Sequence, residues 1–122
     1  MKIVSVTTTA VRMPIRSLPY STEGAGTKRE WYRLGRITAE KPDPVLEYVL
    51  VRIETDDGAF GIGESVTDIG FFGEPLEEVQ SAIDVHLGPR LKGANPFDRE
   101  RLLHSLDFRG NTCARAGIDL AL

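Results

Sequence analysis

Three residues, Asp56-Asp57-Gly58, constrain the fold of this chain more than any other stretch of it. They separate two runs of strand-like sequence, and the glycine supplies the positive φ that a short hairpin turn demands. Before the turn, Val49, Val51 and Ile53 alternate with Arg52 and Glu54, the period of a half-buried strand. After it, Phe60, Ile62 and Glu64 share one face while Gly61 and Gly63 share the other. Glycines on a strand face let another backbone or a helix approach closely. The pattern predicts antiparallel strands over residues 48–55 and 59–66. If the Phe60 face is buried, Glu64 goes in with it, and a buried carboxylate needs a partner such as Arg or a backbone amide.

An earlier strand is predicted over residues 2–13, closed by Pro14. Its alternation is partial, because Ile3, Val11 and Met13 have one parity and Val4, Val6 and Ala10 the other. Residues 15–47 lose all periodicity and hold Pro19, Gly24, Gly26, Gly35, Pro42 and Pro44. Loops of that length inside a domain are usually functional lids or linkers. This one carries Tyr20, Trp31 and Tyr32, aromatics that either cover something apolar or bury themselves in their own domain. Residues 68–73 read Asp-Ile-Gly-Phe-Phe-Gly. Phe71 and Phe72 there serve either the core and a helix start, or a ligand pocket carried on a loop.

Helical signals follow. Pro75 suits a first helical position, with Glu74, Glu77 and Glu78 at the positive end of the helix dipole. Leu76, Val79, Ile83 and Leu87 form a stripe, and Gly88-Pro89 is expected to break or kink it. Asn95-Pro96 reads as an N-cap with proline following, opening a helix through Leu102, Leu103 and Leu106. Asn111 or Thr112 is expected to cap a last helix. Its apolar residues fall on two faces, with Ala114, Gly117, Ile118, Ala121 and Leu122 on one and Cys113, Ala116 and Leu120 on the other. Such a helix expects packing on both sides. Nothing of the kind that ends helices precedes Leu122, so the chain is expected to continue, and its outer helix face to self-associate as it stands.

Composition narrows the function. One cysteine, Cys113, permits no intrachain disulfide, and with His86 and His104 far apart it makes no zinc pattern. A formal charge of -3 disfavours nucleic acid and anionic membrane as partners. The N-terminus lacks a signal-peptide core and no run approaches a membrane span, so a cytoplasmic location is expected. The run Gly58-Ala-Phe-Gly-Ile-Gly63-Glu64-Ser65 has phosphate-loop spacing, but Glu64 stands where lysine is needed and would repel phosphate. Asp56 and Asp57 are placed to bond turn backbone rather than to act as an acid–base pair.

Six segments in order resemble the N-terminal capping domain of the mandelate racemase/muconate lactonizing enzyme branch of the enolase superfamily. They are Met1-Lys-Ile; Val51-Arg-Ile-Glu-Thr-Asp-Asp-Gly58; Gly61-Ile-Gly-Glu64; Leu87-Gly-Pro-Arg-Leu-Lys-Gly93; Asn95-Pro-Phe-Asp98; and Ala114-Arg-Ala-Gly-Ile-Asp-Leu-Ala-Leu122. The resemblance implies an α+β fold, a three-stranded antiparallel β-meander followed by a helical bundle, with residues 1–122 forming one capping domain. It implies a C-terminal TIM-like barrel in the same protein, supplying the magnesium carboxylates and the bases that take a proton beside the carboxylate of a small acid. On that resemblance no catalytic or metal-binding residue is expected in this chain. Its contribution would be two loops over the substrate, at residues 15–47 and 66–73, with Tyr20, Trp31, Phe71 and Phe72 as substrate-facing candidates. A homo-oligomer is the expected assembly. The competing reading is a self-contained binding or oligomerisation module without activity.

Overall fold

The computed structural model describes residues 1–14, 45–67, 73–107 and 109–122. The first strands are β1 (Ile3–Pro14), β2 (Val45–Thr55) and β3 (Phe60–Val66). They pair antiparallel in the order β1-β2-β3. The predicted turn closes the hairpin: the Thr55 amide donates to the Ala59 carbonyl at 2.9 Å and Gly58 takes φ 88°. Strand β2 begins earlier than expected, at Val45, so Glu47 belongs to the sheet rather than to the preceding loop.

A β-bulge between Ile3 and Ser5 explains the mixed parity of β1. The extra residue switches the pleat, so that Ile3 and then Val6, Ala10 and Arg12 all point to the inner face, opposite Ile53, Val49 and Glu47. That face continues on β3 as Gly61, Gly63 and Ser65. The other face carries Phe60 and Ile62, both 56% exposed, and Glu64, also exposed. Glu64 therefore has no need of a buried partner. The glycine side of β3, rather than its Phe60 side, meets the helices.

Leu76 begins a continuous helical stretch made of α1 (Leu76–Ser81), a π-helical segment (Ala82–Leu87) and α2 (Gly88–Leu91). Gly88-Pro89 does not break it. The Gly88 amide bonds back to the Ile83 carbonyl, five residues earlier, and the wider turn makes room where proline would otherwise crowd the helix. The buried residues Val79, Ile83, Leu87 and Leu91 recur every four positions, wider than the 3.6 of an α-helix. The same widening keeps them on one face. Pro75 is the residue before the helix, extended at ψ 161°.

Helix α3 (Arg99–Ser105) starts later than Asn95-Pro96 predicts. The Asn95 side chain accepts the Phe97 amide at 3.1 Å, forming an Asx turn ahead of the helix rather than its cap. Helix α4 (Thr112–Ala121) lies across the sheet. Cys113, Ala114, Gly117, Ile118 and Ala121 are buried, while Ala116 is exposed and Leu120 is 65% exposed. Cys113 thus joins the core instead of the outer face, and the second apolar stripe shrinks to Ala116 and Leu120. The contact with β3 is backbone on backbone. A Cβ on Gly61 would overlap the Ala121 carbonyl, and one on Gly63 would overlap the Gly117 carbonyl.

Candidate functional site

The sheet has two unlike ends. At one lie the hairpin turn, Met1 and Lys2; at the other, β1 ends, β2 begins and β3 ends. The hairpin end is structural. Asp56 accepts the Lys2 amide at 2.7 Å, while its own amide donates to the Lys2 carbonyl at 2.9 Å. The Thr55 hydroxyl beside Asp57 (2.6 Å) holds that carboxyl below the usual aspartate range. Arg52 bonds Glu54 at 2.8 Å while stacking over the Phe60 ring, 4.0 Å from its centre. With Ser5 it lowers the Glu54 pKa. Local hydrogen bonds thus account for both carboxyls.

The opposite end is built differently. Arg12 points inward from β1, and its Nε donates to Glu47 Oε1 at 2.8 Å. Its Nη2 reaches Glu77 Oε1, in the first turn of α1, at 3.4 Å. The Glu47 side chain is only 9% exposed, and a carboxylate so buried is costly without a partner of opposite charge. The Glu47 carbonyl accepts the Thr67 hydroxyl at 2.8 Å and the Thr67 amide at 3.3 Å. Beside them Glu74 accepts the amides of Thr112 and Cys113 at 2.7 and 2.8 Å. It thereby caps α4, a role expected of Asn111 or Thr112. Asn111 takes φ 56° and makes no side-chain cap bond. A carboxylate at the positive end of the helix dipole is the better partner for those free amides.

This end frames the two connections, residues 15–44 and 68–72. The candidates Tyr20, Trp31, Phe71 and Phe72 lie outside the described residues. Arg12, Glu47 and Thr67 were not singled out from sequence, and Glu74 only as an acidic residue for the helix that follows it rather than for α4. A signal existed for Glu47, since carrying the parity of Val49, Val51 and Ile53 back two places lands on it. Its partner Arg12 needed the bulge to be known.

Among the described residues no group of three or more His, Cys, Asp or Glu side chains is placed to hold a metal ion. Among the described residues, a recess of about 230 Å³ is lined by Ala82, His86, Leu87, Arg90 and Asn111. Among the described residues no helix is long and apolar enough to cross a membrane.

Residues 35–122 match the family model for the mandelate racemase / muconate lactonizing enzyme, N-terminal domain. The chain belongs to the mandelate racemase/muconate lactonizing enzyme family. It is 32% identical to the L-Ala-D/L-Glu epimerase of Bacillus subtilis, across 100% of this chain and 29% of the epimerase. It is 40% identical to a chloromuconate cycloisomerase of Cupriavidus pinatubonensis, over 61% of this chain and 21% of that protein. The solved structure of the B. subtilis epimerase in complex with a substrate superposes with a TM-score of 0.75 at 28% identity, covering 99% of this chain and 30% of that one. The N-succinyl Arg/Lys racemase of Bacillus cereus gives 0.74 at 28% identity, covering 99% and 29%. The chain thus spans less than a third of the length of these members of the family. Its fold is the α+β N-terminal domain of the mandelate racemase/muconate lactonizing enzymes, a three-stranded antiparallel sheet with helices.

Proposed function

We propose that this chain is the capping, substrate-selecting domain of an enolase-superfamily enzyme whose catalytic groups lie in a C-terminal barrel. The observation that carries this reading is the match of residues 35–122 to an N-terminal domain, in relatives more than three times as long. In the whole enzyme the reaction would be proton abstraction beside the carboxylate of a small acid. Magnesium bound by the barrel would stabilise the enolate there. Cycloisomerase, racemase or epimerase, and dehydratase outcomes all use that step. On this reading the described residues of the chain position the two connections at the Arg12–Glu47 end of the sheet, and base and metal ligands come from the barrel. Tyr20, Trp31, Phe71 and Phe72 are the residues of those connections proposed to face substrate. The partners are then the barrel and a small carboxylate, with a homo-oligomer as the assembly and the cytoplasm as the setting.

Two measurements test this. The coding sequence after Leu122 should run in frame into the β/α repeats of a barrel; an immediate stop codon would overturn the proposal. The 122-residue chain by itself should neither bind magnesium tightly in calorimetric titration nor exchange the α-protons of mandelate- or muconate-like acids. Turnover by the isolated chain would place the chemistry here instead.

A further inference from the structure

The helices pack on the glycine side of β3 and leave its outer face open, with Phe60, Ile62 and Val66 exposed. On that face the register sets Arg52 beside Ile62 and Leu50 beside Glu64. Arg52 and Glu64 therefore occupy one diagonal of a square of neighbours, and Leu50 and Ile62 the other. Diagonal neighbours on one sheet face lie within reach of long side chains, yet these two charges do not pair. Arg52 turns the other way, its Nε donating to Glu54 at 2.8 Å and its guanidinium stacking over Phe60. Glu64 stands exposed and, among the described residues, has no ion-pair partner. The Arg52 guanidinium keeps donors beyond Nε for a second carboxylate.

We propose that this outer face is an interface with a second copy of the chain, arranged about a two-fold axis along the Leu50–Ile62 diagonal. Such an axis lays Arg52 of one copy over Glu64 of the other, and symmetry repeats the pair in reverse. Leu50 and Ile62 then meet their own counterparts across the axis. An isologous interface requires a patch complementary to itself. This patch has that property, with a charge of each sign on opposite sides of an apolar pair, whereas a surface for an unrelated partner has no need of it. Burial of the exposed apolar side chains supplies the attraction, and the crossed charges fix the orientation. The inference rests on the homo-oligomer proposed above and not on the capping role. Association is read on this chain alone, so either can fail without the other.

Sedimentation velocity over a concentration series is measured for the 122-residue chain, for Arg52→Glu, for Glu64→Arg and for both changes in one chain. An equimolar mixture of the two single variants is measured as well. Val85→Lys, at an exposed position on the helical side, serves as control. The unaltered chain should dimerise as its concentration rises. Each single reversal sets like charges against each other across the axis and should weaken association roughly tenfold or more. The double variant and the mixture bring opposite charges together again and should recover most of it, while Val85→Lys should leave association unchanged. Circular dichroism checks that each variant keeps its fold. Should Arg52→Glu fail to fold, Glu64→Arg against Glu64→Gln carries the test, the reversal weakening association more than the neutral change. A monomer at every concentration, which leaves the face to another occupant such as the barrel, would overturn the proposal. So would weakening with no recovery in the mixture, or an equal effect of Val85→Lys.

Discussion

At Gly63 a single methyl group decides whether α4 can lie on the sheet. Its Cβ would occupy the place of the Gly117 carbonyl, a backbone atom that cannot rotate aside. Gly63→Ala should therefore lower stability by roughly 1–3 kcal/mol or more, the usual penalty for overpacking. A urea-denaturation midpoint reads this directly, and an unchanged midpoint would mean that the helix rides higher than described. Asp57 gives a second prediction at this scale. Its folded pKa is depressed, first by the Thr55 hydroxyl, so its contribution is present above the unfolded carboxylate pKa. That contribution is lost as pH falls through the lower folded value, because the unfolded state then binds more protons. Thr55→Val should move the Asp57 carboxyl titration, followed by NMR, upward towards an ordinary aspartate and weaken this acid dependence. No upward movement would deny the Thr55 bond its part. Both effects begin in sequence signs that were legible: glycines alternating along a strand, and Asp-Asp-Gly in a turn.

Among the elements, α4 shows how far local signals reach. Its start was expected to be capped by its own Asn111 or Thr112, the rule for an isolated helix. The cap comes from Glu74, 38 and 39 residues earlier in the chain than the two amides it accepts. Glu74→Gln keeps one acceptor and loses the charge, while Glu74→Ala loses both. The alanine variant should cost ~1–2 kcal/mol and the glutamine variant less. Hydrogen exchange at the Thr112 and Cys113 amides should accelerate in that order. Equal exchange in both variants and the wild type would show that water caps this helix as well as Glu74 does. The Leu76–Leu91 stretch carries the complementary lesson. Gly88-Pro89 is a local breaker, but the strict four-residue spacing of Val79, Ile83, Leu87 and Leu91 was the stronger sign. Burying all four on one face favours a widened turn over a break.

For the whole molecule, exposed apolar groups are the open account. Phe60, Ile62 and Val66 stand exposed along β3, and Leu120 lies on the outer side of α4. Burying such surface yields ~25 cal/mol per Å², and clustered apolar patches commonly find a partner. The 122-residue chain should therefore self-associate as its concentration rises in light scattering. Leu120→Lys and Ile62→Lys are the variants expected to weaken association without disturbing the core, whereas Ile118 is fully buried and its substitution would unfold the domain. A monomer at every concentration would count against the homo-oligomer proposed above.

The sequence by itself determined the meander, the hairpin turn and its register, the glycine face of β3 and the family. Each is written in short-range pattern: a period of two, a turn residue with positive φ, motifs in fixed order. Tertiary structure decided which face of β3 meets the helices, because the bulge in β1 and the close approach of α4 select the inner side. It also decided that Glu74 caps α4 and that Arg12, Glu47, Thr67 and Glu77 converge. Those partners are separated by up to 65 residues, and only the pairing of strands and docking of helices brings such distant polar groups within hydrogen-bonding reach.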